Sequence, residues 1–313
     1  MEVANEVSII VDEAFADSTI GQTFAMLVLV DGRPVAEHYG REINAATTLI
    51  SWSMAKSVTH ALVGLLVGDG LLSIDDPAPI AQWQSDDRRS ITVAHLLNMK
   101  SGLMFNEDYV DASVSHCIEM LFGAGQHDVA GYACALPLEH EPGTCFNYSS
   151  GTTNIVCSIA RDLVGGGEHG MRTYLSERLF GPLGMTSTVP RFDRAGTFIG
   201  SSFLYATAQE FAAFGELYRN DGVVKGARIL PEGWVRHATT PTPVPETEEH
   251  GYGAHWWLWP EYGGFGAHGY EGQRIIVIPD RRLTIVRLGK SPEARRLNMH
   301  AYLRRVVEAV PVA

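Results

Sequence analysis

A chain of 313 residues, 45% apolar and 19% charged, with 32 glycines and 15 prolines, has the composition of a compact globular protein and excludes a disordered one. Its formal charge of −12, from 36 acidic against 24 basic residues, would repel phosphate backbones and anionic bilayers, so neither nucleic acid nor a membrane is an expected partner. The apolar run Phe24 to Val30 is too short for a membrane span, and Glu2, Glu6, Asp12, Glu13 and Asp17 precede it without any Lys or Arg, unlike an export signal. A cytoplasmic setting is therefore expected, with Cys117, Cys134, Cys145 and Cys157 as free thiols, since none forms a Cys-x-x-Cys pair.

Residues 24–39 read as two strands about the turn Asp31-Gly32, a hairpin. From Ser53 to Val67 apolar residues occupy every face, which predicts a helix inside the protein. Gly68, Gly70 and Asp75-Asp76-Pro77 end it, and short helical patterns follow, among them Val93–Met99 and Thr152–Val164. Thr207 and Glu210 form a capping box ahead of the stripe Phe211, Phe214, Tyr218. Strand signals return at 254–259, 274–278 and 283–288, before a basic helix with Met299, Leu303, Val306 and Val310 on one side. The strands at the two ends are expected to share one sheet. This predicts an α/β (α+β) fold in which residues 1–75 and 200–313 form the sheet region, residues 76–199 form a mostly helical lobe, and a cleft lies between them.

Several motif-like strings fail on context. Gly165–Gly170 fits GxGxxG but follows a helical pattern, not a strand. Gly289-Lys290-Ser291 lacks the upstream glycine of a phosphate loop, and His140-Glu141-Pro142 lacks the second histidine of a zinc helix. Neither a cofactor nor a metal is expected. Ser53-Met54-Ala55-Lys56 is different. At i and i+3 on a helix the two side chains share a face, and a serine in the first turn lies beside unpaired N–H groups. A hydroxyl needs a base to become a nucleophile, and desolvation in an apolar helix makes the neutral form of a lysine available for that task.

In this respect the sequence resembles the serine β-lactamase and penicillin-binding-protein superfamily, whose first motif is Ser-x-x-Lys at the start of a buried helix. The likeness extends through Gly70–Pro77, Ile91–Leu103, the segment Pro142–Gly151 that contains Tyr148-Ser149-Ser150, and Pro182–Met185, in the superfamily's order. It implies a β-lactamase-like fold, an antiparallel sheet flanked by helices. It also implies Ser53 as nucleophile, Lys56 as its base, Tyr148 as proton relay, and Ser150 as a partner of Lys56 or the substrate. The superfamily's third motif, Lys/His-Thr/Ser-Gly, corresponds to His268-Gly269-Tyr270, where the middle hydroxyl is missing. The resemblance then leaves an oxyanion hole from the backbone N–H groups of Ser53 and Tyr270, and His268, Gly269 and Trp257 as substrate-contacting residues. Without a Glu-x-x-Leu-Asn deacylation loop, and with the aromatic strand Trp256–Trp259, the chain is most similar to the carboxylesterase and 6-aminohexanoate-dimer hydrolase branch. The expected activity is hydrolysis of a small ester or linear amide through an acyl-serine. A β-lactamase, a D-Ala-directed peptidase or a non-turnover acyl-binding sensor are the alternatives. The oligomeric state is left open.

Overall fold

The computed structural model describes residues 2–246 and 248–313. Along the chain run α1 (Glu2–Glu13), β1 (Gln22–Val30), β2 (Arg33–Tyr39), β3 (Leu49–Ile50) and α2 (Met54–Gly68). Then come α3 (Val93–Leu97), α4 (His116–Phe122), α5 (Val129–Ala135), α6 (Ser150–Val164), α7 (Gly167–Leu175) and α8 (Gly181–Leu183). The last part holds β4 (Val189–Pro190), β5 (Leu204–Ala206), α9 (Ala208–Arg219), β6 (Val223–Val224), β7 (Ala227–Arg228), α10 (Trp234–Thr239) and β8 (Gly251–Tyr252). It closes with β9 (Trp257–Trp259), β10 (Gly264–Gly269), β11 (Gln273–Ile278), β12 (Leu283–Lys290) and α11 (Arg296–Glu308).

Seven strands form one antiparallel sheet in the order β2-β1-β12-β11-β10-β9-β8, so the hairpin from the beginning of the chain joins the meander from its end. Successive side chains on a strand point to opposite faces, and this alternation builds two cores. Ala25, Leu27, Ile275, Val277, Val286 and Leu288 face α2, α9 and the helices of the middle segment. Met26, Val28, Ile276, Ile278 and Ile285 face the other way, where α1 and α11 cover them through Val7, Val11, Leu303 and Val307. Helix α2 is buried from Met54 to Leu66, as its apolar faces dictate. Helix α9 starts at the reciprocal capping box of Thr207 and Glu210.

A three-stranded ribbon, β3-β5-β4, was not foreseen because its strands are two or three residues long, too short to show alternation. It fixes the turn before α2. The Ser51 N–H donates to the Leu204 carbonyl at 2.8 Å, and the Ser51 hydroxyl accepts from the Leu204 N–H at 3.2 Å. Among the described residues no helix is long and apolar enough to cross a membrane. All four cysteines are free, three of them buried and Cys145 half-buried.

Candidate active site

Ser53 occupies the N-cap of α2, where the first amides of the helix have no intrahelical acceptor. The preceding Trp52 holds φ at +45°, a left-handed conformation that costs a non-glycine residue energy and that the ribbon around Ser51 enforces. One turn later Lys56, 1% exposed, donates from Nζ to three oxygens: Ser53 Oγ at 3.1 Å, Ser150 Oγ at 2.9 Å and the Ser201 carbonyl at 3.1 Å. The tetrahedral ammonium or amine is thus held at every corner.

Helix α6 brings the second group of residues. Its N-cap Ser149 accepts from the Thr152 N–H at 3.2 Å, and the approaching chain is pinned where the Asn147 N–H reaches the Met99 carbonyl at 2.7 Å and Asn147 Nδ2 reaches the Phe105 carbonyl at 3.0 Å. The segments 91–103 and 142–151, recognised separately in the sequence, are therefore one support for Tyr148. The Tyr148 ring lies with its centroid 4.8 Å from Lys56 Nζ and 5.4 Å from the Trp257 ring. A lysine charge this close favours proton loss from the phenol. Burial outweighs it and raises the Tyr148 pKa above its ordinary value. Tyr148 is thus a proton donor in its resting form.

Sequence reasoning missed Glu107. Its carboxylate accepts from the Ser150 N–H at 2.7 Å, the Ser150 hydroxyl at 2.6 Å and the Tyr109 hydroxyl at 2.9 Å. A carboxylate at the positive end of α6 is favourably placed, and it orients the Ser150 hydroxyl so that its oxygen faces Lys56. The only sequence signal was an acid in a polar loop 43 residues before Ser150.

At the third motif β10 ends beside the nucleophile turn. A Cβ on Gly269 would stand 2.3 Å from the Ser51 carbonyl oxygen, so only glycine permits this approach. Tyr270, 39% exposed, follows it and lines the cavity together with Ser53, Gly269, His268 and Trp257. His268 lies in the wall of the cavity, stacked on Trp257 at 5.7 Å, and its Nε2 accepts from the Trp259 indole N–H at 3.0 Å. Six of the eight sequence-selected site residues, Ser53, Tyr148, Trp257, His268, Gly269 and Tyr270, line one cleft; Lys56 is buried behind Ser53, and Ser150 meets Lys56 from the other side.

The sequence also gave no sign that His250, His268 and His300 converge, with one nitrogen of each lying within 4.8 Å of the others. The set does not suit a cation. Arg274, 4% exposed, donates to His300 Nε2 at 2.7 Å, while His300 Nδ1 meets Glu249 at 2.8 Å. Burial and then the charges of Arg274, Arg304 and Arg296 push His250 down to about 3. Neutral imidazoles in a hydrogen-bonded wall are what this electrostatic setting favours.

An antiparallel-sheet fold with helices on both faces, serine and lysine one turn apart at the start of its buried helix, and Tyr-x-Ser facing them, is that of the serine β-lactamase and penicillin-binding-protein superfamily. The family model described as Beta-lactamase matches residues 13–309, and the chain belongs to that family. It is similar to the 6-aminohexanoate-dimer hydrolase of Paenarthrobacter ureafaciens, at 27% identity over 299 residues, covering 89% of this chain and 75% of that protein. Its fold matches that of a putative 6-aminohexanoate-dimer hydrolase from Bacillus anthracis, with TM-score 0.81 and 21% identity over 96% of this chain and 82% of that one. It also matches a family VIII carboxylesterase, with TM-score 0.71 and 15% identity over 99% and 97% of the two chains.

Proposed function

We propose that the protein is a serine hydrolase that cleaves a small ester or linear amide through an acyl intermediate on Ser53. The observation that carries this reading is the triple anchorage of Lys56. The Ser150 hydroxyl donates to Glu107 and the Ser201 group is a carbonyl, so both can only accept from Lys56. Two N–H bonds of Lys56 are thereby committed, and in the neutral amine the remaining position, the lone pair, points at Ser53 Oγ.

The reaction follows from these contacts. Ser53 Oγ attacks the substrate carbonyl carbon while its proton passes to Lys56. The oxygen of the tetrahedral intermediate gathers negative charge against the N-terminus of α2 and the N–H of Tyr270. As the bond to the leaving oxygen or nitrogen breaks, Tyr148 supplies the proton that atom needs, and Lys56 returns one to Tyr148. Both groups are then restored, and the same path run with water in place of the leaving group frees Ser53.

The missing hydroxyl of the third motif supports esters or linear amides over β-lactams, because the carboxylate beside a β-lactam ring loses a partner. Short p-nitrophenyl esters are expected to be hydrolysed with kcat/KM ~100-fold or more above benzylpenicillin, about 2.7 kcal/mol of transition-state stabilisation. The test is a side-by-side assay with Ser53→Ala as blank, and intact mass after a fluorophosphonate probe. Equal or faster penicillin turnover restores the β-lactamase reading. One acyl group captured per chain without turnover indicates a sensor. A label on another serine removes Ser53 from the mechanism.

A further inference from the structure

Two cavities meet at Ser53. The wide one, about 430 Å³, contains Tyr148, Trp257 and His268. The narrow one, about 90 Å³, is walled by Trp52, Cys117, Ile118, Leu121 and Phe122. Ser53, Tyr109 and Tyr270 belong to both, and the rings of Tyr109 and Tyr270, with centroids 5.1 Å apart, stand where the two spaces join.

We propose that the narrow well is an acyl-chain subsite for a short, uncharged alkanoyl group, and that the leaving group departs through the wide cavity. This rests on the hydrolase reading above. The direction follows from Tyr148, the proton donor to the departing atom, which lines the wide cavity and not the well. A substrate whose carbonyl carbon sits on Ser53 Oγ must turn its leaving atom toward Tyr148, and its acyl chain then takes the other side.

Chemistry and size define the chain. The Ser150 hydroxyl in the wall is already engaged with Lys56 and Glu107. The Cys117 thiol is 3% exposed, and burial raises its pKa, so it is neutral. Ser202 also borders the well, and its hydroxyl is paired with that of Ser201 at 2.9 Å. The rest of the wall is hydrocarbon and aromatic, which leaves a charged or hydrogen-bonding chain end without a free partner. A cavity of ~150 Å³ admits the six carbons of benzene, so 90 Å³ accommodates roughly four carbons beyond the carbonyl. Each methylene that enters should raise kcat/KM by ~4-fold.

The experiment measures kcat/KM for p-nitrophenyl esters from acetate to octanoate in the wild type, Leu121→Trp and Phe122→Ala. A second series holds the acyl group at butanoate and varies the alcohol. Phe122 is 56% exposed at the rim, so its truncation opens the well without a core defect. The wild type should rise to butanoate or pentanoate and fall beyond. Leu121→Trp should move the optimum to acetate, Phe122→Ala should extend it past pentanoate, and the alcohol series should keep its order in all three. An acyl optimum that neither variant moves, or a shift in the alcohol series instead, overturns the subsite. Hydrolysis or probe labelling that survives Ser53→Ala overturns the hydrolase reading itself, a result visible before any chain-length comparison.

Discussion

Replacing Ser150 by alanine tests whether the orientation of Lys56 is what activates Ser53. The substitution removes one oxygen, and with it two hydrogen bonds: the one from Lys56 Nζ at 2.9 Å and the one to Glu107 at 2.6 Å. The bond from the backbone N–H of residue 150 to Glu107 remains, so the start of α6 keeps its anion. A buried hydrogen bond to a charged group is worth about 1.5–3 kcal/mol. If the loss falls on the transition state, where Lys56 must face Ser53 Oγ, kcat drops by about 10- to 150-fold. The assay is steady-state hydrolysis of p-nitrophenyl butanoate, together with the rate of Ser53 labelling by a fluorophosphonate and a thermal melt. Both rates should fall together while KM changes little. A folded Ser150→Ala enzyme with kcat within about twofold of wild type would refute the reasoning, since Lys56 would then need no second anchor.

Two further outcomes follow from the same geometry. Lys56→Ala and Tyr148→Phe should each lower kcat by ~100-fold or more, and the double variant should lose far less than the product if they pass one proton between them; strictly multiplicative losses in the same assay would give them independent roles. Stability should decline on acidification, because burial depresses both His250 and His255 to about 3 against an unfolded value near 6.5. Between those values the unfolded chain binds more protons than the folded one, so stability is present above pH 6.5 and lost as pH falls toward 3. At pH 5 each histidine withdraws about 2 kcal/mol. Urea unfolding at pH 8, 7, 6 and 5 reads this directly, and a midpoint that does not move over that range would contradict it.

What could be read from the sequence was local. The hairpin turn at Asp31-Gly32, the capping box at Thr207 and the all-apolar α2 each rest on residues within one turn or one strand of each other, and the structure contains all three. Ser53 and Lys56 were legible for the same reason, since i and i+3 spacing is itself a geometric statement. Glu107 and the Ser201 carbonyl were not. Glu107 reaches Ser150 across 43 residues of chain, and the third anchor of Lys56 is a main-chain oxygen, which no side-chain pattern can announce. The wall of His250, His268, His300 and Arg274 comes from four separate stretches, so only the sheet and α11 bring it together. Relatives supplied the meaning of Tyr148, which as a bare residue is one aromatic among many.

The pairing of β1 with β12 has a consequence for how the protein is made. Gln22 lies opposite Lys290, and the strand that completes the sheet under α2 is synthesised long after that helix. At ~5–20 residues per second, α2 waits on the order of 10–40 s after its own synthesis before β10, β11 and β12 exist to cover it. During that interval the most apolar helix of the chain is unsheltered, and Ser53 has no strand β10 to face. Contacts of such long sequence separation also slow folding once the chain is free. Production at low temperature or with a chaperone that shields apolar helices is therefore expected to raise the yield of active protein.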